Sequence, residues 1–184
     1  MTKNVGILVG SLRQSSYSKS IAKEFSKLFP DGYNPIFLDI SELPLYNEDL
    51  DTEGNVPESW TAFRAAAKDV DAFLFVTPEY NRSVPGALKN ALDVGSRPYG
   101  QSIWDKKVGA IVSLSPGAIS GFGANHHLRQ SLVFLNVLTL QQPEAYLAHV
   151  DQLLNEDRSI KEEGTVKFFQ SIVDAFVDLI EKNA

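Results

Sequence analysis

The sequence has no cysteine among its 184 residues, and that absence removes disulfide frameworks, thiolate metal sites, iron–sulfur clusters and cysteine nucleophiles together. Redox chemistry on such a chain needs a cofactor. Histidine is scarce as well. His126 and His127 adjoin on a predicted helix, where side chains one residue apart point about 100° apart and do not share one metal ion. His149 has no second ligand at helical spacing, so all three read as structural or surface residues and no metal site is expected. No uncharged apolar run approaches the ~20 residues needed to cross a bilayer, the nearest being Ser131 to Leu140. The N-terminal Met1-Thr2-Lys3-Asn4 runs straight into Val5-Gly6-Ile7-Leu8-Val9-Gly10, which is too short for a secretory h-region and has no small-residue cleavage site. A cytoplasmic protein with no membrane partner is therefore expected. Positive charge is also lacking: 17 Lys+Arg face 23 Asp+Glu for a net charge of −6, which disfavours nucleic acid as a partner.

The hydrophobic content is 43%, with 11 Phe, 6 Tyr and 2 Trp, and a chain of this length buries roughly 70% of its unfolded surface around one core. Apolar runs alternate with amphipathic segments throughout, the pattern of βαβ units on a parallel sheet covered on both faces. Strands are expected at Asn4 to Gly10, Asn34 to Asp39, Asp71 to Thr77, Lys107 to Ser113 and Val137 to Leu140. Helices are expected at Ser18 to Phe29, Pro57 to Lys68, Gly86 to Val94, Phe122 to Phe134 and Glu163 to Glu181, with Pro85 at the start of the third and Gly95 at its end. Nothing resembling a linker or repeat interrupts the series, so residues 1–184 read as one domain. Glu42, Glu48, Asp49, Asp51 and Glu53 surround a loop and read as a solvated acidic face, while Phe168, Phe169 and Phe176 read as core. Trp104 reads either as core or as a wall of an active-site mouth belonging to a neighbouring subunit.

Ligands of open α/β sheets bind beyond the carboxyl ends of the strands. The loop after the first strand reads Gly10-Ser11-Leu12-Arg13-Gln14-Ser15-Ser16-Tyr17-Ser18. Hydroxyls at Ser11, Ser16 and Ser18, the Arg13 guanidinium and free N–H groups at a helix start form a cradle suited to a monophosphate. The bland alternative is that Ser16 or Ser18 only caps the helix and Arg13 is a solvated cation. Neither the dinucleotide Gly-x-Gly-x-x-Gly nor the P-loop Gly-x-x-x-x-Gly-Lys-Ser/Thr is present. The third strand empties into Pro78-Glu79-Tyr80-Asn81-Arg82-Ser83-Val84-Pro85-Gly86-Ala87-Leu88-Lys89-Asn90-Ala91-Leu92-Asp93. In a sheet ordered 2-1-3-4-5 this second loop faces the first across the point where strand order reverses, a place for a flat heterocycle.

With Ser115-Pro116-Gly117 and His127-Leu128-Arg129 following in order, these blocks resemble the NAD(P)H-dependent FMN reductase family, which includes quinone, chromate and azo-dye reductases. The resemblance implies an α/β flavodoxin-like three-layer sandwich with a five-stranded parallel sheet. It implies that FMN is the cofactor and NADPH or NADH the co-substrate. Ser11, Arg13, Ser16 and Ser18 would hold the flavin phosphate with Tyr17 alongside. Pro78, Glu79, Tyr80, Asn81 and Arg82 would meet the isoalloxazine, with Ser115 and Gly117 near its other edge. Hydride transfer belongs to the cofactor, so no catalytic side chain is expected. The implied partners are small electron acceptors, and the implied assembly is a homodimer or homotetramer. Relatives often carry Arg near Gly123 and Tyr near His126, at subunit contacts and acceptor access, and this chain has neither. Two other classes compete. A flavodoxin-type one-electron carrier would use a threonine-rich phosphate loop, and a GDSL-type hydrolase would need an Asp-x-x-His pair that none of the three histidines supplies.

Overall fold

The structure is a computed structural model and describes residues 2–183. Its elements run β1 (Lys3–Val9), α1 (Tyr17–Ser26), β2 (Tyr33–Phe37), α2 (Glu58–Lys68), β3 (Ala72–Pro78), α3 (Gly86–Gly95), β4 (Val108–Leu114), α4 (Phe122–Phe134), β5 (Leu138–Thr139), β6 (Ala145–Leu147) and α5 (Glu163–Lys182). The strands pair in parallel in the order β2-β1-β3-β4-β5. The expected order holds, and the expected number does not. The last strand is divided: β5 pairs with Val108 and Gly109 at the start of β4, and β6 pairs with Val112 to Leu114 at its end.

Buried side chains alternate across the sheet. Val5, Ile7, Leu74, Val76, Ala110 and Val112 face α1 and α5, meeting Phe25, Phe169, Ile172 and Phe176. Leu8, Phe73, Phe75 and Ile111 face the other way onto Trp60, Phe63, Leu88, Leu92, Trp104, Leu128 and Leu132 of the opposite layer. Because both faces are covered, both parities of the strand are apolar, and strand sequences such as Phe73-Leu74-Phe75-Val76 show no polar alternation.

Several local expectations change. The first helix starts at Tyr17 and stops at Ser26, three residues earlier than expected, because Lys27 and Leu28 turn back with tight bonds to Glu24 and Phe25 carbonyls. Trp104 is core and not a wall: it is fully buried, its Nε1 donates to the Leu92 carbonyl at 3.0 Å, and a Cβ on Gly95 would lie 2.7 Å from its ring. Phe168 is 37% exposed, unlike Phe169, which stacks on Phe25 with centroids 4.4 Å apart. Asp51 leaves the solvated acidic face. Both its oxygens accept from Arg64, at 2.8 and 2.7 Å, and the side chains are only 4% and 14% exposed.

Candidate functional site

Backbone register brings the three singled-out loops together. Val9 pairs with Val76, and Pro78 pairs with Leu114, so the chain leaves β1, β3 and β4 at adjacent points along one sheet end. The contact between the first two loops is close: Gly10 N donates to Val76 O at 2.9 Å, and a Cβ at Gly10 would meet Thr77 Oγ1 at 2.8 Å and Pro78 Cδ at 3.1 Å. Any larger residue at Gly10 would push the loops apart.

In the first loop Ser16 caps α1, its Oγ accepting from Lys19 N at 3.3 Å. The capping reading of this serine therefore holds, and it leaves the rest of the cradle intact. Tyr17 and Ser18, the first two helical residues, have no backbone acceptor for their amides among the described residues, as expected of a helix start. Ser11 and Ser18 are buried, and their hydroxyls make no hydrogen bond within the described residues. Arg13 bends back to donate to the Ser15 carbonyl at 3.2 Å, with its Cζ 5.7 Å from the Tyr17 ring centroid. Two amides, two hydroxyls and a guanidinium are thus unclaimed by carboxylates, and this donor-rich set fits a phosphate monoester.

The second loop is a tight turn. Tyr80 and Ser83 exchange backbone hydrogen bonds of 3.0 Å, and Asn81 and Arg82 between them both take positive φ, 50° and 65°. Side chains tie this turn to α4. Glu79 accepts from Arg82 at 2.8 Å through one oxygen and from the Ala124 amide at 3.2 Å through the other. Ser83 Oγ lies 3.0 Å from His127 Nδ1, so this histidine is a strut of the turn. A Cβ on Gly123 would fall 2.7 Å from the Arg82 carbonyl and 3.0 Å from Glu79 Oε2, so only glycine lets the turn approach the helix this closely. Glu79 spends its carboxylate on structure, and Tyr80 stands half exposed above it.

The third loop is closed by Ser115, whose Oγ accepts from Gly117 N at 3.0 Å, while its own amide donates to Leu147 of β6. Beside it His126 meets the Tyr146 hydroxyl at 3.2 Å, and that hydroxyl donates to Glu144 at 2.8 Å. Burial and the Glu144 carboxylate push the Tyr146 phenol up to about 12. Asn90, inside the long second block, holds the loop after β2: its side chain accepts from Tyr46 N and donates to the Leu43 and Pro44 carbonyls.

One residue of the site region carries no sequence signal. Arg158 comes from the loop before α5, and its Cζ lies 5.0 Å from the centroid of the Tyr17 ring. No motif or spacing links positions so far apart in the chain.

Comparison with known proteins agrees with this geometry. The chain is 52% identical to a quinone reductase of Pseudomonas putida over 180 residues, covering 98% of this chain and 96% of that protein. It is 42% identical over 176 residues to a 2-hydroxy-1,4-benzoquinone reductase of a Burkholderia species, covering 96% and 95%. Its fold superposes on FerB, a flavoenzyme NAD(P)H:(acceptor) oxidoreductase from Paracoccus denitrificans, with a TM-score of 0.91 at 40% identity over 99% of both chains. Residues 3–152 match the family described as NADPH-dependent FMN reductase. The chain belongs to that family, and it is an oxidoreductase that works with FMN and NAD(P)H.

Proposed function

We propose that residues 1–184 form a single FMN-binding domain whose three adjoining loops hold the flavin and leave one ring face for small acceptors, quinones foremost. The observation that carries this reading is the junction of the three loops, where Gly10 packs on Thr77 and Pro78, and Pro78 pairs with Leu114. Ser11, Arg13, Ser16 and Ser18 bind the phosphate, with Tyr17 alongside. Pro78, Glu79, Tyr80, Asn81 and Arg82 meet the ring, and Ser115 and Gly117 lie at its other edge. When bound, FMN supplies the chemistry: it takes hydride from NADPH or NADH and passes electrons to a quinone, azo compound, free flavin or oxidised metal species. The protein's part is to orient the ring through a turn that Glu79, Ser83 and His127 fasten to α4.

The enzyme works in the cytoplasm. Among the described residues no helix is long and apolar enough to cross a membrane. It assembles at least as a homodimer, and a homotetramer is the further form the resemblance implies. Two features support self-association. Gly86 opens α3 with nothing within 4 Å of its Cβ position. Val133, Phe134 and Tyr99 stand exposed at the end of α4 and the loop beyond α3.

With one shared ring face, the nicotinamide must leave before the acceptor enters. Initial rates measured against NAD(P)H at several quinone concentrations should give parallel lines. Anaerobic stopped-flow mixing with NADPH and with NADH should bleach the flavin at least as fast as turnover. Intersecting lines, or bleaching slower than turnover until quinone is added, would show both substrates bound at once and end the single-face reading.

A further inference from the structure

Arg158 lies beyond residue 152, outside the segment that matches the family, yet it reaches the start of α1. The loop that carries it is built rigidly. Leu154 and Ile160 form an antiparallel bridge, and both pack into the core under α1 and α5. Between these feet Asn155 N donates to Ser159 O at 2.9 Å, Arg158 N donates to Asn155 O at 3.0 Å, and Asp157 accepts from both the amide and the hydroxyl of Ser159. Arg158 occupies the tip at a φ of 71°, a left-handed conformation that favours glycine.

What it reaches is Tyr17. Arg158 and Arg13 lie 5.0 and 5.7 Å from one ring centroid, so two guanidinium groups gather at the first residue of α1. Among the described residues neither is within ion-pair distance of a carboxylate, although acids are in excess over the whole chain. Arg158 lines one hollow with Ser15 and Ser16 of the phosphate loop, Lys19 of α1, and two acids, Glu24 and Asp157. Two cations on one ring repel each other unless an anion lies between or beside them. A guanidinium held by its face on an aromatic ring keeps its N–H edge free for two parallel bonds to phosphate oxygens.

We propose that Arg158 is a second guanidinium ligand of the flavin phosphate, oriented on Tyr17 and contributed by the rigid turn at residues 155–159. The proposal rests on the reading of the 10–18 loop as the phosphate holder. It gives the C-terminal segment a share in choosing a phosphorylated flavin over riboflavin.

The test is titration of the full chain, stripped of flavin, with FMN and with riboflavin, following quenching of flavin fluorescence. Arg158→Gly suits the positive φ and preserves the turn. It should raise the Kd for FMN about ten-fold, the effect of losing one charged hydrogen bond, and leave the riboflavin Kd within about two-fold. Should circular dichroism show that variant unfolded, Arg158→Lys carries the test with a selective loss of about three-fold, since the charge stays and the fork is lost. Arg13→Ala run alongside separates the two readings. If it weakens FMN selectively and Arg158→Gly does not, the loop reading stands and Arg158 is not a ligand. Equal loss of FMN and riboflavin on changing Arg158 also overturns the proposal, because the residue would then support the fold. If Arg13→Ala itself fails to distinguish FMN from riboflavin, the phosphate-loop reading falls and the Arg158 proposal falls with it.

Discussion

Asp51 shows how much one residue's meaning depends on its partner. In the sequence it is one of five acids around a loop, with nothing to set it apart. In the fold Arg64 reaches it with two bonds, and that guanidinium also donates to the Val94 carbonyl, so α2, α3 and the acidic loop are joined through one pair. The bonds from Arg64 hold the Asp51 carboxyl below the usual carboxylate range. A depressed carboxyl stabilises the fold at every pH above its unfolded value of about 3.9, and that contribution disappears as pH falls through the folded value. Asp51→Asn should cost about 2 kcal/mol at pH 7, the usual value of hydrogen bonds to a charged group. The gap between variant and wild type should shrink between pH 5 and pH 3. Urea unfolding at both ends of that range checks the prediction. The pairing was not legible because no local spacing rule connects an acid in a loop to an arginine on the following helix. Ser11, Arg13 and Ser16, by contrast, lie in one short segment after a strand, where local rules alone bring them together as a proposed phosphate cradle.

At the scale of elements, the turn at residues 79–83 and the N-terminus of α4 behave as one piece. Glu79 fills the amide of Ala124, Ser83 meets His127, and Gly123 gives the turn room. Gly123→Ala puts a methyl carbon 2.7 Å from the Arg82 carbonyl oxygen, and the turn must shift. On the proposed reading, in which the turn supports the ring and not the phosphate, affinity for FMN and for riboflavin should fall together by about ten-fold, or roughly 1.4 kcal/mol. Fluorescence titration with both flavins reads this directly, and a loss confined to FMN would contradict it. The turn residues were recognisable as a block, but their fastening was not, because His127 is helical and reads as an ordinary surface histidine. The strands were legible from five apolar runs and their order from the family resemblance, and β6 was missed for a simple reason. Ala145-Tyr146-Leu147 is three residues long and follows Gln142-Pro143, so its strand character comes from pairing with Val112 to Leu114 and not from any run of its own. Helix α5 was plain from periodicity, and it completes the core against α1 even though it falls outside the family-matched segment.

For the whole molecule, the proposed self-association turns on exposed apolar side chains. Phe134 is 88% exposed, with Val133 beside it and Tyr99 lining the same hollow. A monomer gains nothing from presenting these rings to water, and a subunit contact would bury them. Phe134→Asp should shift the protein toward monomer at micromolar concentration in light scattering, with flavin binding retained because α4 meets the 79–83 turn at its other end. An unchanged mass would place the subunit contact elsewhere.

The divided last strand has a bearing on how this protein behaves when concentrated. An open parallel sheet offers two borders at which a foreign strand could add by hydrogen bonding. Here one border is made of two fragments, Leu138–Thr139 and Ala145–Leu147, neither long enough to template a partner. The other border is β2, where Leu38 N turns inward to Ile7 O, so the alternate positions 33, 35 and 37 direct their main-chain groups outward. Position 35 is proline, which has no hydrogen to donate. One border is interrupted and the other lacks its middle donor, so the sheet is guarded on both sides against runaway cross-β growth.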